Sequence, residues 1–224
     1  MVKWNNTDLR SKGIIVEKIP TISKGKKKIE IMQIDGRNGF LSIDTGVYEP
    51  FPINLECHCT DDANLDEIKA FLDGYGTLSF DNERQYTAVI DNSIPFETIL
   101  PVFKKFQISF LVNPIAEDIT ATEETITESP TTLNIDTYAD IYPTLEIACS
   151  GDVSISIGND TFYLYSTDGT YTLDCKNKII KDANDLNSSG LMNGDFPTLK
   201  SGVNDISYTG TITSFKISYR KSYL

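Results

Sequence analysis

The stretch Ile53-Asn54-Leu55-Glu56-Cys57-His58-Cys59 alternates apolar and polar side chains from end to end. Successive side chains of a β-strand point to opposite faces, so the apolar set, which includes both cysteines, is expected on one face. Residues 104–112 (KKFQISFLV) repeat the pattern, with the aromatic and aliphatic side chains again on every second position. Both stretches therefore predict strands with one apolar and one polar face.

The sequence Cys57-His58-Cys59 suggests a metal site at first sight. Strand alternation, however, points His58 away from Cys57 and Cys59, and His58 is the only histidine among 224 residues. A tetrahedral zinc site needs a further pair of cysteine or histidine ligands, and the sequence has no second pair at suitable spacing. We therefore predict small, buried thiols, an exposed histidine, and neither a metal site nor a cofactor.

One helix is expected in the first half of the chain. Between Leu65 and Leu72 the apolar side chains recur every three or four residues. Asn64 and Glu67 have the spacing of a capping box, and Gly74 follows the last turn. A short amphipathic helix of this kind is expected to lie against a sheet. A single further helical turn is predicted at Phe96–Leu100.

The remaining N-terminal strands are predicted at Gly13–Ile19, Ile29–Ile34, Phe40–Ile43, Thr77–Phe80 and Gln85–Ile90. Asp35–Gly39 is dense in turn-forming residues and is expected to reverse the chain. The lysine-rich run Lys24–Lys28 is interpreted as a solvated hairpin tip, with contact to an acidic partner as the alternative.

The second half predicts a different domain. Residues 115–131 are rich in glutamate and threonine and are expected to form an acidic linker between an N-terminal domain, 1–114, and a C-terminal domain, 132–224. Beyond the linker, short alternating strands separated by Gly, Asn and Asp turns indicate an antiparallel β-sandwich. The predicted fold class is mostly β, with an α+β first domain that carries one short helix on a sheet.

Composition and motifs exclude several function classes. The formal net charge of −12 disfavours nucleic-acid binding. No apolar run approaches the ~18 residues of a membrane-spanning helix, and no signal peptide is expected. The chain lacks a phosphate-binding loop, a zinc-protease helix and a nucleophile elbow. We predict no catalytic residues, although a carboxylate pair for glycoside hydrolysis among the 32 acidic residues stays open.

Two other groups of residues have side chains that suit a ligand site. One loop offers hard oxygen ligands for calcium, but Leu186 occupies a position that must coordinate, so a plain turn is predicted for Asp182, Asn184, Asp185 and Asn187. Three tyrosines suggest either a platform for sugar stacking or cross-strand packing, with packing favoured: Tyr163, Tyr165 and Tyr171.

The order of several motifs resembles siphophage distal tail proteins. In the first half these are Gly13–Val16, Ile34–Gly39, Tyr48, Ile53–Cys59, Leu65–Leu72, Gly76–Phe80 and Phe106–Phe110 before Pro114. In the second half they are Pro143–Ile147, Phe196–Leu199, Gly202–Asn204 and Ile217–Arg220. Together they cover nearly the whole chain.

The resemblance implies an N-terminal ring-forming domain and a C-terminal galectin-like β-sandwich. It implies a homohexameric ring, a baseplate hub at the tail tip of a phage, prophage or tail-derived particle. The ring would join the tail tube and the tape-measure protein to tail-associated lysin, tail-tip and receptor-binding proteins. Assembly would take place in the bacterial cytoplasm, with DNA passing through the ring. The chain is too short for the inserted carbohydrate-binding module of some relatives.

Gly36 and Arg37 are the only candidate subunit-interface residues. A glycine permits a turn with positive φ, and an arginine can bind a carboxylate of a neighbouring subunit through two hydrogen bonds. An ordinary turn with an exposed arginine is the alternative. At the level of function, a carbohydrate-binding adaptor that recognises the bacterial cell wall and a wall-degrading enzyme remain as alternatives to the structural hub.

Overall fold

The computed structural model describes residues 1–36, 38–60, 63–81, 83–91, 94, 97–100, 103–165 and 168–224. The chain divides into two compact units, Met1–Ala116 with Leu224, and Glu117–Tyr223. Strands predominate in both units, and the described residues contain one α-helix. The predicted mostly-β fold class is therefore confirmed.

The described residues of the first unit form ten strands, of which the last runs past the division at Ala116. Their bounds are β1 Lys3–Trp4, β2 Thr7–Asp8, β3 Ile14–Val16, β4 Lys27–Met32, β5 Leu41–Tyr48, β6 Phe51–Cys59, β7 Tyr75–Ser79, β8 Arg84–Ile90, β9 Glu97–Leu100 and β10 Phe103–Asp118. A 3-10 turn, Leu9–Lys12, precedes β3. The main sheet has the order β2-β1-β7-β8-β10-β6-β3, and β9 pairs with β10.

The two strands that the alternating stretches predict are neighbours in this sheet. β6 and β10 are antiparallel, with Cys57 opposite Phe106 and Ile53 opposite Phe110. The inward side chains of both strands are buried in one core, where the Trp4 ring lies 5.1 Å from the Phe110 ring. The predicted placement of both cysteines on the core face is confirmed.

Helix α1 spans Leu65–Phe71 and begins at the predicted cap. The Asn64 side chain accepts hydrogen bonds from the backbone N–H groups of Asp66 and Glu67, and its amide donates to the Glu67 carboxylate at 3.1 Å. These contacts satisfy backbone donors that the first turn would otherwise leave without partners. Ile68 and Leu72 are buried in the core of the sheet, so the helix packs on the sheet as expected.

The described residues of the second unit form two long bent strands, β13 and β18, and seven short ones. Their bounds are β11 Thr122–Thr125, β12 Thr131–Ile135, β13 Thr144–Ile157, β14 Asp160–Leu164, β15 Gly169–Asp174, β16 Ile179–Asp182, β17 Met192–Gly194, β18 Gly202–Tyr219 and β19 Ser222–Tyr223, with a 3-10 turn at Ser189–Leu191. β13 pairs with β18 along most of its length. One half of β13 also pairs with β15, and the other half with β14.

The bend in β13 and β18 allows one sheet to enclose its own core. The pairing shifts register near Ala148–Ser154, where the chain passes Gly210 of β18. Gly210 has φ +97°, and a side chain there would meet the Asp152 carbonyl oxygen at 2.5 Å, so only glycine fits. Residues from both halves, including Phe162 and Phe215, share a single apolar core.

Two local predictions differ from the structure. Glu97–Leu100 forms strand β9 and no helical turn, because pairing with β10 gives more hydrogen bonds than one isolated turn; Phe96 lies outside the described residues. The segment 115–131, expected as an acidic linker, carries the end of β10 and all of β11, and β11 pairs with Lys216–Tyr219 of β18. Its β-branched threonines suit a strand in spite of the acidic charge.

Candidate self-association surface

A hairpin leaves the sheet of the first unit. Strands β4 and β5 form a separate two-stranded sheet, with Met32 opposite Leu41 and Glu30 opposite Ile43. We call residues 27–48 the arm. The predicted reversal at Asp35–Gly39 is confirmed, since it lies between the two paired strands. A two-stranded sheet without further layers is only marginally stable in water, so the arm calls for additional contacts.

Apolar side chains are exposed on both faces of the arm. Cross-strand pairs place Ile29 and Ile31 on one face, opposite Asp44 and Ser42. The other face carries Met32, Leu41 and Ile43 beside Glu30. The exposed large apolar residues in or next to the strands are Ile29, Ile31, Met32, Ile34, Phe40, Leu41, Ile43 and Val47. Contiguous apolar surface of this kind marks an interaction site in a soluble protein.

Polar contacts near the base keep the two strands of the arm together. The Lys27 ammonium pairs with the Asp44 carboxylate, whose other oxygen accepts the Gly46 N–H at 2.8 Å. The hydrogen bond from Lys27, together with that from Gly46, lowers the pKa of Asp44, and the same Asp44 contact raises the pKa of Lys27. Lys24 and Lys27 also lie about 6 Å from the centre of the Tyr48 ring.

The base of the arm is fixed to the first unit by a close approach. A side chain at Gly25 would meet Cβ of Pro114 at 2.4 Å, so the backbone two residues before the arm touches the proline directly. The Glu49 N–H donates to the Lys26 carbonyl oxygen at 2.8 Å. The lysine run therefore lies at the base of the arm, and its interpretation as a hairpin tip is wrong. The glycine-rich turn at 35–39, which needs positive φ, forms the tip instead.

Gly36 is at the tip, has φ +78° and has no neighbouring atom within 4 Å of the place where a Cβ would stand. The predicted positive φ is thus present. Arg37 lies outside the described residues. The assignment of these two residues to a subunit interface stays a prediction.

The first unit also contains an open cavity of about 210 Å³ with apolar and polar walls. Its wall is formed by the N-terminal segment, the 3-10 turn and β3, with Ile19 as an exposed side chain at one edge. The wall includes Val2, Leu9, Ile14 and Val16, together with Asp8 and Arg10. The volume suits one or two aliphatic side chains of a partner.

The side chains of Cys57 and Cys59 lie on one face of β6 and that of His58 lies on the other, as predicted. Burial raises the pKa of the Cys57 thiol to about 12, which keeps it protonated and unreactive. His58 is on the opposite face but is half-buried, so the prediction of an exposed histidine is wrong; its Nδ1 lies 3.4 Å from Oε1 of Glu17. The described residues contain no group of three His, Cys, Asp or Glu side chains suited to a metal ion.

The Glu17 carboxylate of the first unit forms an ion pair with Lys105. Its Oε2 accepts a hydrogen bond from Lys105 at 2.8 Å, and this contact lowers the pKa of Glu17. Hydrogen bonds also lower the pKa of Asp81. Neither Glu17 nor Asp81 therefore has the raised pKa that the general acid of a glycosidase requires.

The other candidates divide into a turn and a partial platform. The Asp182 carboxylate accepts backbone N–H groups of Asn184 and Leu186, at 2.9 and 3.0 Å, which is the plain turn that we predicted. Tyr171 is buried in the core of the second unit. Tyr163 and Tyr165 are exposed, with ring centres 6.4 Å apart and planes 11° apart, so the structure brings together two of the three tyrosines.

Sequence reasoning missed the arm as a surface. The alternation in β4 predicts a strand, and a strand covered by its own core has the same pattern as one covered by another molecule. A usable signal was present in the adjoining pairs Ile31-Met32 and Phe40-Leu41, which place apolar side chains on both faces. Among the described residues no helix has the length and apolarity to cross a bilayer.

Comparison with known proteins gives structural matches only. No protein-family profile matches the chain, and no curated protein matches its sequence. The Dit protein (gp 19.1) of SPP1, described as a paradigm of the hub adsorption apparatus in phages infecting Gram-positive bacteria, matches with a TM-score of 0.78 and 13% identity, over 100% of this chain and 98% of that chain.

The phage P2 baseplate provides two further matches. Its activated conformation with Ca has a TM-score of 0.57, and the conformation with Sr has 0.56; each has 9% identity and covers 96% of this chain and 92% of that chain. The sequence resemblance to distal tail proteins is thus confirmed at the level of structure, and the chain has the fold of the SPP1 Dit protein along its whole length.

Proposed function

We propose that this chain is a structural hub protein of a phage tail tip, in which six copies close into a ring through the arm. The observation that carries the proposal is the arm itself: a hairpin outside the main sheet, with apolar side chains exposed on both faces. The two faces need cover that a two-stranded sheet cannot supply. A second copy of the chain is a partner that every assembling particle has available.

A ring requires two different patches on each copy. In a closed cyclic assembly each subunit presents one patch forward and a different one backward. The arm supplies the first patch. The cavity at Leu9, Ile14 and Val16 supplies an apolar counterpart in the same unit. We assign the ring to the first unit, predicted as domain 1–114, and exposed attachment surfaces to the second, predicted as 132–224.

The charge of the chain suits a channel for DNA. Six copies with a formal charge of −12 each surround the lumen with negative potential, which repels the phosphate backbone and prevents sticking. The proposed ring acts without catalysis. It joins the tail tube and tape-measure protein to tail-associated lysin, tail-tip and receptor-binding proteins. It belongs to the virion and assembles in the bacterial cytoplasm.

The mass of the purified protein tests this proposal. Six copies of 25.0 kDa give about 150 kDa, and light scattering at micromolar concentrations is expected to find that mass. Negative-stain electron microscopy is expected to show rings with a central hole. Monomers of 25.0 kDa at every concentration, or compact particles without a hole, would refute the ring.

A cross-link tests the proposed acceptor separately. Ile31→Cys on the arm and Ile19→Cys at the cavity are expected to form disulfides between chains, seen as a ladder of multimers on a denaturing gel. The native cysteines do not interfere, because all four are buried. A 150 kDa particle without this ladder would keep the ring and place the acceptor elsewhere. The same assay at Arg37→Cys tests the predicted interface role of the tip.

A further inference from the structure

One face of the second unit is built from uncharged polar side chains. Cross-strand pairs bring Ser154 beside Tyr163 and Thr209, and Ser156 beside Thr161 and Ser207. Tyr163 also lies opposite Asn193 of β17. We call this set, with Tyr165, the hydroxyl face: Ser154, Ser156, Thr161, Tyr163, Tyr165, Asn193, Ser207 and Thr209.

Strand alternation fixes the direction of these side chains. The residues between them on the same strands, such as Ile155, Phe162 and Ile206, are completely buried in the core. The hydroxyl face therefore points outward from the second unit. A hydrogen bond of 2.8 Å between the hydroxyl groups of Ser156 and Thr161 joins two neighbouring strands on this face.

Two aromatic rings stand on the same face. The Tyr163 side chain is 45% exposed and Tyr165 is 51% exposed. Their ring planes differ by 11°, with centres 6.4 Å apart, because residues two apart on a strand point the same way. Parallel rings of this kind offer apolar surface with hydroxyl groups at the edge. Such surface fits the C–H faces of successive sugar rings.

The charge of the face selects among partners. Charged residues make up 23% of the chain, yet none of the eight side chains of the hydroxyl face is charged. Of the carboxylates on these strands, Asp152 and Asp205 lie beyond the two ends of the face. Asp160, which precedes Thr161 on β14, accepts hydrogen bonds from the backbone N–H and the hydroxyl of Thr198. Hydroxyl and amide groups donate and accept hydrogen bonds without requiring a counter-charge. An anionic polymer, in contrast, would meet the −12 charge of the chain.

We propose that the hydroxyl face is a binding site for a neutral polysaccharide, with Tyr163 and Tyr165 stacking on sugar rings and the serine, threonine and asparagine side chains bonding to sugar hydroxyls. The site lies in the second unit and does not depend on ring formation. A protein with this face would contact neutral glycan on a cell surface by itself, with the multiple copies of an assembly raising the overall affinity.

The test uses the full chain on an array of bacterial polysaccharides that includes neutral and anionic members, followed by calorimetry with the strongest neutral polymer. Binding to neutral members and not to anionic ones is expected. The double variant Tyr163→Ala/Tyr165→Ala removes both rings and is expected to weaken binding about tenfold or more, which corresponds to about 1.4 kcal/mol or more. The double Phe variant keeps both rings and is expected to stay within about threefold of wild type.

Tyr142→Ala is the matched control, because Tyr142 is 52% exposed and belongs to the same unit but to none of the strands of this face. It is expected to bind like the wild type. Three results would each overturn the proposal. They are no binding of any neutral polymer at ~100 μM, where a Kd of ~100 μM would fill half of the sites, preference for anionic polymers, and equal losses in the Tyr142 variant and the double Ala variant. The mass of the particle is measured in parallel, so a defect in assembly is distinguished from a lost sugar site.

Discussion

Replacing Ile29 and Ile31 by serine tests the role of the arm quantitatively. These side chains are 50% and 63% exposed, so their exposed fractions together equal about one whole isoleucine. Burying one isoleucine contributes about 1.5–3 kcal/mol, so each interface of the ring is expected to lose about 2 kcal/mol. Neither residue belongs to a buried core, so the free energy of unfolding of the single chain is expected to change by less than about 0.5 kcal/mol.

The ring magnifies this loss. Six interfaces weakened by about 2 kcal/mol each destabilise the ring by roughly 12 kcal/mol, distributed over five association steps. The concentration for half-assembly is then expected to rise roughly 50-fold, because each 1.4 kcal/mol is a factor of ten. Sedimentation velocity over a dilution series measures that concentration directly.

Val203→Ser is the control for this experiment. Val203 is 66% exposed, a fraction similar to the 63% of Ile31, but it lies on β18 of the second unit. The control is expected to assemble at the concentration of the wild type. The reasoning fails if the double variant assembles like the wild type, or if the control weakens assembly by the same factor.

Three further predictions concern the stability and burial of residues in the two units. Gly25→Ala places a Cβ 2.4 Å from Pro114 and is expected to cost about 1–3 kcal/mol, with faster hydrogen exchange in the arm. Asn64→Ala removes the helix cap and is expected to lower the free energy of unfolding by about 1 kcal/mol in denaturant titrations, whereas Asn64→Asp is expected to stay near wild type. Cys57 and Cys175, whose pKa is raised to about 12 by burial, are expected to resist a thiol reagent at pH 8 until the protein is unfolded; rapid labelling of the native protein would contradict their burial.

The parts of the fold that the sequence predicts are those with local causes. Alternation in Ile53–Cys59 fixes which side chains reach the core, whatever the neighbouring strand is. The Asn64 cap acts on N–H groups two and three residues away, so its effect is readable from spacing alone. The bend of β13 is not readable in this way, because it depends on the Gly210 backbone of a strand about 60 residues later.

The parts that the sequence did not predict depend on distant partners. Trp4 is in a polar N-terminal stretch that suggested no structure, yet its ring is fully buried against Phe110. The charge of the lysine run predicts exposure to solvent, which a hairpin tip provides. The base of a hairpin provides the same exposure, so the charge alone does not decide between the two positions. Glu97–Leu100 has a short apolar pattern that fits a helical turn or an edge strand, and only β10 decides between them.

The arm connects these observations to assembly. A sheet edge or apolar face that is left open is a hazard for any soluble protein, because it recruits further strands and apolar surface without limit. The proposed ring would remove the hazard, because each arm would be covered by the next copy and no arm would be left free after a fixed number of copies. Anchoring at Gly25 and Pro114 fixes the direction in which the arm leaves the first unit. A fixed direction gives a constant angle between successive copies, and closure into a ring of defined size requires that constant angle.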